Sequence, residues 1–236
     1  AVMGLLPGGK IAGRHQMTRE LKFGRRAAVS GKARSMVVFV HGYGADGADL
    51  LGLADPLGPH LPDTVFYAPD APEACAGNPF GRQWFSIPRF DGSTEVEAAV
   101  GMNKAADDLN AFLDARLAEE GLGPEALVLV GFSQGAMMSL HVAPRREAAM
   151  ACVVAISGKL MLPATLAMEM KVKVPVLLIH GDRDDVVPFG EMQAAGNALV
   201  QNGFSTYAHV MKGSGHGIAP DGLQAALGFI LQNLPK

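Results

Sequence analysis

The stretch that decides the fold is Leu127-Val128-Leu129-Val130-Gly131-Phe132-Ser133-Gln134-Gly135. Its first four residues are apolar without interruption, which is typical of a strand buried on both faces of a parallel sheet. Its last five match the pattern G-x-S-x-G and lead into residues 135–142, which have the apolar spacing of a helix. Glycines on either side let the chain turn tightly. The stretch therefore predicts a strand, a sharp turn at Ser133 and a helix.

Similar apolar runs recur along the chain, at residues 36–40, 65–68, 152–156 and 176–179, with residues 206–211 as a further candidate strand. Apolar residues at helical spacing lie between them, at residues 95–120, 191–201 and 223–234. Ser93 or Thr94 is the expected N-cap of the longest helix, and Gly121 is its expected end. Strands that alternate with helices predict an α/β fold with a mostly parallel central sheet and helices on both faces.

The same pattern divides the chain. Residues 36–236 have no internal repeat and no linker, so they predict a single catalytic domain. Residues 1–35 have weak periodicity and are expected to form an N-terminal segment, in which residues 21–30 add an edge hairpin. Residues 69–92 are rich in Pro and Gly and are long for a plain connection, so we expect a loop over a site.

Composition excludes several classes of protein. Of the 236 residues, 49% are hydrophobic and 18% are charged, and the net charge of −3 offers no reason to expect a nucleic-acid partner. No apolar run is long enough to span a bilayer, so we expect no stable membrane insertion. Residues 1–9 lack the features of a secretory signal, although a chain that begins with Ala leaves a removed leader open. Cys75 and Cys152 suggest neither a disulfide framework nor a metal site, and they fit a cytoplasmic protein.

Ser133 needs a base and an acid if it is a nucleophile. His216 lies in the glycine-rich loop of residues 213–217 and is the expected base. Residues 182–185 follow a strand and offer three carboxylates, of which we favour Asp184 over Asp185 as the acid. His41 and His180 each follow a strand and are expected to brace loops. His41 is expected to lie close to the site. The order Ser, Asp, His, with each residue after a strand, is typical of α/β-hydrolases.

A serine nucleophile also needs two N–H donors for the oxyanion of the tetrahedral intermediate. The N–H of Gln134 directly follows the serine and is one candidate. The N–H of Tyr43, in the His-Gly-Tyr-Gly segment at residues 41–44, is the other. The apolar residues Trp84, Phe85, Val187 and Phe189 are expected to line a substrate groove without a charged group. We therefore expect uncharged acyl groups to be preferred.

Four segments of the chain together resemble the phospholipase/carboxylesterase family, which includes bacterial carboxylesterases and acyl-protein thioesterases. They are residues 41–46, 131–136, 180–188 and 215–218, and Trp84-Phe85 is similar to an aromatic pair of the family. The resemblance implies the α/β-hydrolase fold, Ser133, Asp184 and His216 as triad, and Tyr43 and Gln134 as oxyanion donors. Tyr43 stands where the family often has Leu, which implies a narrower or more polar entrance, and the N-terminal lead-in is longer than expected.

The sequence thus predicts a serine hydrolase that cleaves carboxylic esters or thioesters of short to medium acyl chains through an acyl-enzyme. The expected partner is a small-molecule ester or thioester, no metal or organic cofactor is needed, and a homodimer stays open. Two alternatives remain: a serine peptidase on the same fold, and a non-catalytic binding protein of hydrolase ancestry.

Overall fold

The computed structural model describes residues 17–236. The strands are β1 (Phe23–Arg26), β2 (Ser35–Val40), β3 (Thr64–Pro69), β4 (Glu73–Cys75), β5 (Asn78–Gln83), β6 (Leu127–Phe132), β7 (Cys152–Ile156), β8 (Val176–Gly181) and β9 (Thr206–Met211). Seven of the strands in this part of the chain form one sheet, and β4 and β5 form a separate two-stranded hairpin. The helices are α1 (Gly47–Leu51), α2 (Ala54–Leu57), α3 (Pro88–Asp91), α4 (Glu95–Glu120), α5 (Gln134–Val142), α6 (Leu166–Glu169), α7 (Gly190–Gln201) and α8 (Pro220–Asn233). Every strand and helix expected from the apolar runs is present, with ends that differ by a few residues.

The sheet has the order β1-β3-β2-β6-β7-β8-β9, and every neighbouring pair except β1–β3 is parallel. All six residues of β2 are buried. Met36, Val38 and Val40 face one apolar cluster with α4, α5 and α7. Val37 and Phe39 face a second cluster with α1, α2 and α8. The predicted mostly parallel sheet with helices on both faces is confirmed.

The first described strand corrects one expectation. The structure has no hairpin over residues 21–30; instead β1 is a single strand that pairs antiparallel with β3, Phe23 opposite Pro69. The chain then turns at Gly31, where φ is +80°, and enters β2 on the other side of β3. Because β3 lies between them, β1 and β2 cannot form a hairpin. Residues 1–16 of the expected N-terminal segment lie outside the described residues.

The long helix begins and ends where its capping residues predict. Thr94 accepts a hydrogen bond from the N–H of Glu97, and the Glu97 carboxylate accepts one from the N–H of Thr94, which is a capping box. Gly121 ends the helix with a left-handed φ of 66°. No helix among residues 17–236 is both long and apolar enough to cross a membrane.

The site is positioned by the carboxyl ends of the parallel strands. Strands β2, β6, β7 and β8 run in the same direction and end at one edge of the sheet. The loops that follow them carry Tyr43, Ser133, Lys159 and Asp184. The segment from Pro69 to α3 holds the separate antiparallel hairpin β4–β5, and its end comes back over this edge.

Candidate active site

Ser133 stands at a strained turn between β6 and α5. Its φ is 54° and its ψ is −118°, a conformation that a non-glycine residue adopts only where the surrounding structure enforces it. The N–H of Ser133 donates to Ile156 O at 2.8 Å, and its carbonyl accepts from Met137 N–H at 3.1 Å. A Cβ on Gly135 would overlap the carbonyl oxygen of Val40, so the turn packs directly on β2. The glycines of the motif are thus required by close backbone approach.

Three side chains form a chain of hydrogen bonds at this turn. His216 Nε2 lies 3.0 Å from Ser133 Oγ, and His216 Nδ1 lies 2.7 Å from Asp184 Oδ2. The ring of Phe132 packs against the His216 imidazole with centroids 4.9 Å apart. The Asp184 side chain has no exposed surface, and that of His216 is 17% exposed. The structure therefore brings together the serine, histidine and aspartate that the sequence singled out.

The carboxylate of Asp184 is held by four atoms around it. Oδ1 accepts hydrogen bonds from the N–H groups of Val186 and Val187, each at 2.9 Å, while Oδ2 accepts from His216 and lies 3.4 Å from His180 Nε2. Burial by itself would raise the pKa of Asp184, but the hydrogen bonds from His216, Val187 and Val186 outweigh it and lower the pKa. Asp184 is therefore ionised at neutral pH.

The neighbouring carboxylates have other surroundings. Asp185 is exposed. Asp182 is also exposed, and its Oδ1 accepts a hydrogen bond from Gly213 N–H at 2.7 Å. This bond connects the loop that carries Asp184 to the loop that carries His216. The carboxylate in contact with His216 is that of Asp184.

The two strand-end histidines brace the loops around the site. His41 is fully buried, and its Nε2 accepts from Ala71 N–H at 2.9 Å. Its other ring nitrogen therefore carries the proton and donates to Gly42 O at 2.7 Å. Burial lowers the pKa of His41. His180 Nε2 lies 2.9 Å from Val187 O and so fixes the loop that carries Asp184.

The side chain of Gln134 links the turn to the aromatic pair. Its Oε1 accepts from Trp84 N–H at 2.9 Å, and its Nε2 donates to Phe85 O at 2.8 Å. Trp84 Nε1 donates in turn to His41 O at 2.9 Å. The sequence predicts a role only for the backbone N–H of Gln134. No pattern in the sequence indicates this side-chain bridge, because its partners lie about fifty positions away.

Backbone N–H groups surround the serine on two sides. A Cβ on Gly42 would lie 3.2 Å from Ser133 Cβ, so the segment that carries Tyr43 passes directly beside the serine. Gln134 is the first residue of α5, where N–H groups have no partner within the helix. Among residues 17–236, neither the Tyr43 N–H nor the Gln134 N–H donates to a protein acceptor. Both N–H groups are free to bind a ligand oxygen.

A cavity of about 640 Å³ opens at Ser133 and His216. This volume is in the range of small-molecule sites. Phe85, Met137 and Val187 contribute apolar surface, and the residues from Ser86 to Phe90, which include the first three residues of α3, form one wall. The expected loop over a site is therefore found in the second half of residues 69–92.

Two of the four predicted apolar contacts are wrong. Phe85 and Val187 line the cavity, but Trp84 and Phe189 do not. Trp84 has no exposed surface, because its indole packs in the core and its Nε1 is bonded to the backbone. The ring of Phe189 turns away and packs edge-on against His180 at 6.0 Å.

The expected absence of charge is also wrong. Arg89, Glu95, Lys159 and Glu191 all line the cavity. Lys159 is not among the site residues predicted from the sequence, although it follows β7 by three residues and strand ends are where α/β sheets place their sites. Arg89 and the two glutamates come from helix starts, and only the tertiary fold brings them here.

Comparisons with known proteins agree with this architecture. The family model described as phospholipase/carboxylesterase matches residues 27–234. The chain is 28% identical to esterase YpfH of Escherichia coli, over 86% of this chain and 85% of the relative. It is 29% identical to acyl-protein thioesterase 1 of Saccharomyces cerevisiae, over 89% of this chain and 97% of the relative. 

Among solved structures, that of esterase PE8 superimposes with a TM-score of 0.86 at 43% identity, over 92% of this chain and all of the other. The structure of SOBER1 from Arabidopsis thaliana superimposes with a TM-score of 0.75 at 24% identity, which supports the fold alone. The match to the family model covers most of the chain, so the protein is an enzyme with the α/β-hydrolase fold and belongs to the phospholipase/carboxylesterase family.

Proposed function

We propose that the protein is a serine hydrolase that cleaves carboxylic esters or thioesters with Ser133 as nucleophile, His216 as base and Asp184 as acid. One observation carries the proposal: an unbroken chain of hydrogen bonds from Asp184 through His216 to Ser133, at a strained strand-to-helix turn, inside a cavity. Esterase and thioesterase activities of the curated relatives support the same reaction class.

The proposed reaction has two steps. Ser133 Oγ attacks the acyl carbon while His216 Nε2 takes its proton, and the oxyanion accepts hydrogen bonds from the Tyr43 and Gln134 N–H groups. The bond from the acyl carbon to the alcohol oxygen or thiol sulfur breaks, and His216 returns the proton to the leaving group. Water then attacks the acyl-enzyme, and His216 takes a proton from the water. The carboxylic acid product leaves as His216 returns this proton to Ser133 Oγ. Asp184 stabilises the imidazolium in both steps.

Substrates with short to medium acyl chains fit the proposal. The cavity volume and the apolar surface of Phe85, Met137 and Val187 support an acyl group of limited length. Residues 36–236 are proposed to act as one catalytic domain, supported by the single seven-stranded sheet that β1 extends at its edge. A cytoplasmic location and a homodimer stay predictions.

Replacement of Ser133 by alanine tests the nucleophile. We expect Ser133→Ala to lower hydrolysis of p-nitrophenyl butyrate by at least about a thousandfold, since loss of a triad serine removes the covalent pathway. Labelling by a fluorophosphonate probe should disappear as well. Ser86→Ala is the matched control, because Ser86 lines the same cavity, and it should keep both activity and labelling.

Retention of more than a tenth of the activity by Ser133→Ala would contradict the assignment. An unlabelled, inactive wild type would favour the binding protein. Faster cleavage of peptide amides than of esters would favour the peptidase. A series of p-nitrophenyl esters of increasing acyl length, measured as kcat/KM, defines the acyl preference.

A further inference from the structure

Two cationic side chains, Arg89 and Lys159, line the catalytic cavity, and of the two only that of Lys159 has no protein partner among residues 17–236. Arg89 donates to Val186 O at 3.3 Å and stacks on the Phe90 ring. The two glutamates lie in the first turns of α4 and α7, where a carboxylate stabilises the helix N-terminus. Lys159 differs, because no carboxylate oxygen among residues 17–236 lies within 4.0 Å of its ammonium and it makes no side-chain hydrogen bond there.

A second strained turn carries Lys159 into the cavity. Ser157, which follows β7, has a φ of 53°, although it is not glycine. The turn lets Gly158 pack on α5, where a Cβ would lie 2.6 Å from Ala136 Cβ and 3.1 Å from the carbonyl oxygen of Ser133. Gly158 therefore lies directly against the backbone of Ser133, and Lys159 is the next residue in the chain. Strain beside a site is retained where the rest of the fold enforces it, and here its effect is to place a cation there.

We propose that Lys159 binds an anionic group of the substrate, a carboxylate or a phosphate, so that the substrate is an anionic ester or thioester. The inference rests on the proposed hydrolysis at Ser133. Lys159 is half-buried, so its attraction to an anion is screened less than that of an exposed lysine. An ammonium is a compact charge with three donors, which suits either a carboxylate or a phosphate.

The test uses two pairs of esters that differ in charge but hardly in shape. The acyl pair is mono-4-nitrophenyl glutarate and its uncharged amide, 4-nitrophenyl glutaramate. The leaving-group pair is 4-(butyryloxy)phenyl phosphate and its uncharged dimethyl ester. The quantity measured is the charge preference, which is kcat/KM for the anionic ester divided by kcat/KM for its neutral partner. The first pair reads a carboxylate on the acyl group, and the second reads a phosphate on the leaving group.

Lys159→Met keeps the length of the side chain and removes the charge. We expect it to lower the charge preference about tenfold for one of the pairs, the size of one lost hydrogen bond to a charged group. Lys159→Arg should keep the preference within about threefold, because it keeps the cation. Lys171→Met is the control for net charge, since Lys171 pairs with Glu147 outside this cavity, and it should leave the preference unchanged.

The proposal is supported if the charge preference falls more than fivefold in Lys159→Met but not in Lys171→Met. The pair of esters that responds shows whether the anionic group lies on the acyl group or on the leaving group. A smaller change in both pairs, or an equal fall in Lys171→Met, overturns it. Failure of the proposed function gives a different result. In that case the neutral esters are not hydrolysed by the wild type, or Ser133→Ala still hydrolyses them.

Discussion

Replacement of Asp184 by asparagine changes one atom of the proposed triad, and the structure determines which way the new amide faces. Two backbone N–H groups, from Val186 and Val187, point at Oδ1 from 2.9 Å. The amide oxygen must accept both, because turning the amide round would forfeit two buried hydrogen bonds, at about 1 to 3 kcal/mol each. The NH₂ group then faces His216 Nδ1, which must accept instead of donate. The imidazole proton moves to Nε2, where it faces Ser133 and blocks proton transfer.

The wrong tautomer costs about ten-thousandfold in kcat in a serine hydrolase, which corresponds to about 5.5 kcal/mol of transition-state stabilisation. We expect that loss for Asp184→Asn, measured as kcat on p-nitrophenyl butyrate. The fold should persist, since the amide replaces the carboxylate at equal volume. Asp185→Asn is the control, because Asp185 is exposed and should change kcat less than threefold. Comparable losses in the two variants, or an Asp184→Asn enzyme that keeps a tenth of the wild-type kcat, would refute the reasoning.

Two further predictions concern stability. Gly135→Ala should lower the free energy of unfolding, measured in urea, by about 3 kcal/mol, because the new methyl group overlaps Val40 O. The control Gly228→Ala in α8 should raise this free energy slightly, because the new methyl group meets no atom within 4 Å. Equal effects of the two substitutions would contradict the packing argument. Burial, followed by the charge of Arg145, lowers the pKa of His141 to about 4. In the unfolded chain this histidine is protonated below pH ~6.5, whereas in the folded chain it stays neutral down to pH ~4. Stability should therefore fall by up to about 3 kcal/mol as the pH drops through this window, and His141→Gln, compared with wild type in urea titrations at pH 7 and 5, should lose less; an equal loss would contradict the prediction.

Much of the fold was predictable because its signals are local. An uninterrupted apolar run such as residues 127–130 can be buried only between two layers, and Thr94 and Gly121 cap a helix through groups within three residues of themselves. The order and strand-end positions of Ser133, Asp184 and His216 are local as well. The sequence alone thus determined the six parallel strands, the four longest helices and the candidates for the chemistry. The edge hairpin was wrong, and the hairpin β4–β5 and the short helices α1, α2, α3 and α6 were not predicted.

Only the tertiary structure decided which atoms meet. Asp184 and Asp185 are adjacent and chemically identical, and they differ only in that the loop turns Asp184 toward the His216 ring and leaves Asp185 in solvent. Trp84 and Phe85 are also neighbours, yet one faces the core and the other the cavity. The direction of a side chain at a strand end depends on loop backbone angles and on partners distant in the chain. For the same reason the strained turn at Ser157, and with it the placement of Lys159 in the cavity, could not be read from composition or spacing.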